Sequence, residues 1–245
     1  MSGTIRYMKE ERLKDKIIRK TGRASTHQKY VTSYGQVVPG GSTIANLVNF
    51  GGCDGLIGWG VRLDREGVDY KQARDEAADF GKCFHRAVEQ RWRGEPFDSE
   101  NYPGAYVAPS LEMSNNFFAL LEELGLVMVG SEEQGVSDKE EWGGTMDLIL
   151  ARKEEPSKPI ILGDLKSSNS LSATHIIQVG GAYGVLFEEK YGYPPERVIL
   201  FRADRNPPHD VTQHTIRGQK LEAAREAARL LRGLWRLKPI LNGRI

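Results

Sequence analysis

The chain has 245 residues, 39% of them hydrophobic, with 34 basic and 33 acidic residues and a formal net charge of +1. That is enough to bury a full core as one α/β domain, or a core with a helical cap, while two cysteines, Cys53 and Cys83, exclude a disulfide framework or a zinc cluster and point to reducing surroundings. No apolar run approaches the roughly 20 residues of a membrane span, and the first residues lack the apolar core of a signal peptide, so a cytoplasmic protein is expected.

Residues 1–40 read as a basic arm. Within 1–30, nine lysines and arginines stand against Glu10, Glu11 and Asp15, a balance that favours a polyanion through counterion release and that a solvated terminal arm would also show. The glycine spacing from Gly35 to Ser42 mimics a phosphate-binding loop. Gly41 stands where that loop needs its lysine, which argues against a bound nucleoside triphosphate. A short helix from Ser42 to Phe50 follows, then a cap helix, broken at its start, within Gly51 to Arg65.

Asp69 to Arg93 reads as a long helix stopped by Gly94 and Pro96, with Ala77, Phe80, Phe84, Ala87 and Val88 on one face and His85 at its edge. Residues 95–109 read as a loop, and Leu111 to Leu124 as an amphipathic helix ended by Gly125. This gives a helical cap with the His85 helix over 41–110 and an α/β core over 111–245, expected to form one compact unit.

Leu126 to Glu133 reads as a strand ending in acid; Glu133 and Glu132 are nearly interchangeable there, with Glu133, three residues before Val136, preferred. Two apolar β-type runs then flank Arg152 to Pro159, which reads as a hairpin turning near Glu155 and Pro156. Symmetry about that turn sets Asp147 opposite Asp164, and strand alternation puts Asp164 and Lys166 on one face. Two carboxylates on adjacent strands could hold a hard divalent cation, and a lysine beside them could steer a water.

A Ser/Asn-rich loop, Ser167 to Ser170, leads into a helix from Ser172 to Phe187. Gln178 and Tyr183 lie five apart on it, too far round an α-helix to share a face, so either Gly180-Gly181 accommodates a distortion or Gln178 alone reaches a substrate. Two glycines in a helix also suggest close approach of another backbone. Arg197 to Ala203 and Val211 to Ile216 read as a hairpin around Asn206-Pro-Pro. The last helix carries Leu221, Ala224, Ala228, Leu231 and Trp235 at helical spacing.

Gly144-Thr-Met-Asp147, Asp164-Leu-Lys166, Gly81 to His85 and Glu89, the acid at 132–133, and Gln178 with Tyr183 occur in an order that resembles the PD-(D/E)XK nuclease superfamily, in its RecB-like and phage-exonuclease branch. The resemblance runs from about Ser42 to the end, and departs in the spacing of Gln178 and Tyr183. Two cysteines exclude the iron–sulfur branch of that family. The resemblance implies a small central mixed β-sheet flanked by helices (a restriction-endonuclease-like core) with an N-terminal helical cap. It also implies a DNA exonuclease dependent on Mg²⁺ or Mn²⁺, acting in recombination, repair or phage DNA processing, within a host cytoplasm if viral. Asp147, Asp164, the Leu165 carbonyl, His85 and Glu133 would hold metal, Lys166 would act in catalysis with Asp164, Asp147 and Glu133, and Gln178 and Tyr183 would meet substrate. DNA is the implied partner, with a single-strand annealing or other recombination protein beside it. An endonuclease or junction resolvase using the same site, and a non-catalytic DNA-binding protein of the same fold, stay open.

Overall fold

The computed structural model describes residues 29–47, 54–167 and 171–241. The basic segment 1–28, Cys53, the end of the Ser42 helix and most of the Ser/Asn-rich loop lie outside the described residues.

Five strands form one mixed sheet in chain order: β3 (Leu126–Ser137), β4 (Trp142–Arg152), β5 (Ile161–Lys166), β6 (Arg197–Ala203) and β7 (Val211–Ile216). All neighbours are antiparallel except β5 and β6. That parallel pair needs a crossover, supplied by one helical run made of α5 (Ala173–Ile176), a π-helical segment (Ile177–Tyr183) and α6 (Gly184–Tyr191). Ahead of the sheet, β1 (Tyr30–Val31) and β2 (Val37–Val38) form a small separate ladder, followed by α1 (Gly41–Ala45), α2 (Asp54–Arg65), α3 (Tyr70–Arg93) and α4 (Gly104–Glu123). The chain ends in α7 (Gln219–Leu241).

Helices cover both faces, which is why Leu148, Ile149 and Leu150 on β4 and Ile161 and Leu162 on β5 form unbroken buried runs instead of alternating. One layer is α3 and α4, whose Phe80, Phe84, Val88 and Phe117 pack on Leu148, Ile161, Ile199 and Phe201. The opposite layer is the π segment, α6 and α7 with α1, packed on Ile149, Leu162, Val198 and Leu200. A fully buried side chain of this kind contributes about 1.5–3 kcal/mol through its lost apolar surface. Among the described residues no helix is long and apolar enough to cross a membrane.

Local chemistry explains most boundaries. Asp69 caps α3 by accepting the Gln72 N–H at 2.8 Å, and Gly94 ends it in the left-handed conformation at φ 69°. The loop expected over 95–109 is shorter: α4 begins at Gly104 and runs through Pro109. Proline there removes one backbone donor early in the helix and leaves the rest of the ladder intact. β3 is longer than expected, passing Glu133 and reaching Ser137 before a turn at 138–141.

The stretch that holds Gln178 and Tyr183 is π-helical, and this resolves their spacing. In an i→i+5 helix, residues five apart come onto one face, and the Gln178 side-chain amide donates to the Tyr183 hydroxyl at 2.9 Å. Two neighbours stabilise the wider turn. The indole N–H of the fully buried Trp142 donates to the Ala182 carbonyl at 3.1 Å, and α7 lies so close that a Cβ on Gly181 would stand 2.3 Å from the Ala224 carbonyl oxygen. The glycine pair thus marks the close backbone approach expected of it.

Candidate metal centre

β4 and β5 pair over Leu148↔Gly163, Ile149↔Leu162 and Leu150↔Ile161. One further step in that register sets Asp147 opposite Asp164, where the two strands cease to be paired: β4 continues against β3, and β5 against β6. The sheet splits at this point. The Leu165 N–H finds its acceptor not in the β4 backbone but in the Asp147 carboxylate, at 3.2 Å. The acidic side chains gather where the strands part.

α3 runs past the end of β5 here. A Cβ on Gly81 would come within 3.4 Å of the Ser167 hydroxyl, and His85 Nε2 lies 3.1 Å from the Leu165 carbonyl oxygen. Four residues of helix advance about 6 Å and two residues of strand about 6.6 Å, so α3 and the end of β5 run side by side in opposite directions with matching rise. That match lets one helix touch the strand twice. It also carries His85, at the edge of the apolar face, over the end of β5.

The other ring nitrogen of His85 faces acid. Nδ1 is 3.4 Å from Glu132 Oε1 and 3.8 Å from Asp147 Oδ2. One potential ligand atom from each of His85, Glu132 and Asp147 lies within 4.8 Å of the others. Burial pulls the imidazole pKa down, but Asp147 and Glu132 outweigh it and raise it to about 9, so in the metal-free protein a proton occupies the position between the carboxylates.

Asp164 lies beside this group, close enough to feel the charges of Asp147 and His85. Its side chain is 1% exposed, and Lys166 Nζ stands 2.5 Å from Oδ2 as an ion pair, yet neither carboxylate oxygen has an aligned hydrogen bond among the described residues. Burial, reinforced by Asp147, pushes this carboxyl well above the usual carboxylate range. Lys166 answers Oδ2; Oδ1 is buried with no partner among the described residues, which is costly unless a donor or a cation meets it. Burial also works against the Lys166 ammonium, but Asp164 and Asp147 raise its pKa above the ordinary lysine value. Lys166, 3.3 Å from the Leu165 carbonyl, is placed as a cationic donor beside the two carboxylates. Hard oxygen donors from Asp147, Asp164, Glu132 and the Leu165 carbonyl, with the His85 imidazole, suit a small divalent cation.

The structure therefore brings together His85, Asp147, Asp164, Leu165 and Lys166. It does not bring Glu133, the acid preferred from sequence. Glu133 accepts from the Tyr191 hydroxyl at 2.8 Å and pairs with Lys190, on the α6 side of the sheet. Its neighbour Glu132 takes the place, in the left-handed conformation at φ 51°. Ser131 pairs with Leu148 and Glu133 with Met146, so Glu132 is the β3 residue level with Asp147. A non-glycine residue held at positive φ is strained, and such residues gather at functional sites.

The opposite layer brings Gln178 and Tyr183 near. Tyr183 is packed so closely by Gly41 and Gly144 that a Cβ on either would lie 2.9 Å and 2.3 Å from its ring, respectively. Burial and then Asp147 raise its phenol pKa, so it stays a neutral hydroxyl. His175 was not singled out in the sequence. Its Nδ1 accepts the Ser172 backbone N–H at 3.0 Å, which places the ring proton on Nε2, and burial followed by Lys166 lowers its pKa.

No protein-family model matches the sequence, and no curated protein matches it. Among solved structures, a candidate exonuclease from Eubacterium rectale is similar over 69% of this chain and 69% of its own, at 15% identity and a TM-score of 0.45. LHK-Exo, in complex with dAMP, is similar over 84% of this chain and 90% of its own, at 12% identity and a TM-score of 0.36. Likenesses of this size carry no argument about chemistry, which falls to the side chains.

Proposed function

We propose that this protein is a divalent-metal-dependent deoxyribonuclease that hydrolyses phosphodiester bonds from DNA ends, using Mg²⁺ or Mn²⁺. The observation that carries the reading is Asp164: a buried carboxylate level with Asp147, paired with Lys166 through Oδ2 while Oδ1 has no partner among the described residues. When bound, a divalent cation supplies Lewis acidity to the scissile phosphate and acidifies a water. Asp147, Asp164, Glu132 and the Leu165 carbonyl would hold it, with His85 giving up its proton to join them. Lys166 orients the attacking water and meets the negative charge that develops on phosphorus-bound oxygen. Gln178 and Tyr183, joined to each other and neutral, offer the backbone of the substrate hydrogen bonds without competing for the cation.

Digestion of end-labelled linear DNA and closed circular DNA, with Mg²⁺, Mn²⁺ or EDTA, tests this. Linear DNA should shorten, closed circles should survive, and EDTA should stop the reaction. Cutting of closed circles at a comparable rate makes the protein an endonuclease, and undiminished activity in EDTA removes the metal.

The two neighbouring glutamates separate by the same logic. Glu132→Gln is expected to weaken Mn²⁺ binding by about 10–100-fold, the range for disturbing groups around a metal, whereas Glu133→Gln leaves it unchanged. Calorimetric titration of the folded variants decides, and equal affinities would take Glu132 out of the ligand set.

A further inference from the structure

We propose that Arg205 is a positioning residue that clamps α3 to the end of β5 and thereby sets the geometry of the metal centre; the second half of this inference rests on the metal reading above. Arg205 lies in the connection between β6 and β7, and its contacts among the described residues are with Ser167, Ala77 and Phe80, not with the acidic residues of the centre. Its Nε donates to the Ser167 carbonyl at 2.8 Å, and its Nη2 reaches the Ala77 carbonyl at 3.2 Å and the Ser167 hydroxyl at 3.4 Å. The guanidinium lies 5.0 Å over the Phe80 ring.

Those contacts fall on the two elements whose alignment makes the site. Ser167 follows Lys166 directly. Ala77 lies two helical turns before His85 on α3, with Phe80 and Gly81 between them. Apart from this clamp, α3 meets the end of β5 through the close passage of Gly81 past Ser167, the His85–Leu165 contact at 3.1 Å, and the apolar cluster that Phe80 and Phe84 share with Leu165, whose non-directional packing does not fix the helix along its axis. A slide of α3 by one residue would move His85 by about 1.5 Å, enough to take it out of reach of Asp147 and Glu132 together. The clamp needs a planar fork, because two donors on one edge must meet carbonyls from two different elements while the flat face rests on a ring. A lysine ammonium is a point charge and cannot do all three.

The test uses the full-length protein and its Arg205→Gln and Arg205→Lys variants, kept at a temperature where circular dichroism shows each fully folded. Metal-free protein labelled with ¹⁵N-histidine reports the His85 ring by NMR, assigned with His85→Gln, and Mn²⁺ titration calorimetry reports the centre. Arg205→Gln should shift the His85 ring signals and weaken Mn²⁺ binding by about 10–100-fold, as for other groups that orient metal ligands, with KM for DNA unchanged. Arg205→Lys should restore at most part of the loss. Unmoved His85 signals with wild-type Mn²⁺ affinity would overturn the proposal, as would a raised KM with Mn²⁺ affinity intact, which would make Arg205 a DNA contact. If Arg205→Gln does not fold, Arg205→Lys decides alone, and wild-type behaviour there refutes the clamp. Should the wild type bind no Mn²⁺, the His85 signals still judge the clamp without the metal reading.

Discussion

Replacing Lys166 by alanine is expected to lower DNA cleavage by about 100-fold or more, the cost of losing one transition-state donor, while DNA affinity stays within severalfold. The Lys166 ammonium has its Nζ 2.5 Å from a carboxylate that is 1% exposed, on a side chain itself 18% exposed, so it is oriented by the protein and poorly placed to meet a long stretch of phosphate backbone. Asp164 and Asp147 favour its charged form despite burial, which suits a donor. Turnover measured under single-turnover conditions and affinity measured by DNA titration in Ca²⁺ separate the two effects. A Lys166→Ala protein that cuts at the wild-type rate would make the Asp-Leu-Lys triplet coincidental, and a matching loss in affinity and turnover would make Lys166 a binding residue.

How much of this was legible in the sequence depends on distance along the chain. The pairing of Asp147 with Asp164 could be read because both strands are apolar and the break between them is short and symmetric, and the observed register agrees with it. The same construction applied to the preceding hairpin would have chosen Glu132, since Glu132 and Asp147 lie equally far from the turn at 138–141. The preference for Glu133 rested on Val136 three residues on, and nothing in the local sequence announces a glutamate at φ 51°. Gln178 and Tyr183 looked out of phase because α-helical geometry was assumed. The glycine pair marked an anomaly, but only the packing of Trp142 and α7 on that turn makes it π-helical. Arg205 and His175 were invisible for a different reason. A guanidinium bridging Ala77 and Ser167 spans 128 and 38 residues of chain, and no periodicity encodes such a contact.

Asp164→Asn separates a metal site from a structural ion pair, because the two predict opposite signs in the absence of metal. If Asp164 and Lys166 form a structural pair, removing one charge strands the other, and the protein should lose about 3–5 kcal/mol. If the carboxylate is held ready for a cation, asparagine removes a buried charge whose Oδ1 has no partner among the described residues, and Lys166 keeps the Leu165 carbonyl at 3.3 Å and some contact with water. The metal-free variant should then unfold at or above the wild-type denaturant midpoint. Metal reverses the order. Saturating the wild type to about 100 times Kd should stabilise it by about 2.7 kcal/mol, raising the melting temperature of a chain this size by about 5–10 °C, whereas Asp164→Asn should show no rise and no cleavage above the EDTA background. Melting curves with Mn²⁺ and with EDTA, on both proteins, contain the whole test. A metal-free Asp164→Asn protein that loses several kcal/mol, or one that melts higher with Mn²⁺ as the wild type does, would show that Asp164 serves the fold and that the cation, if any, is held by His85, Glu132 and Asp147 alone.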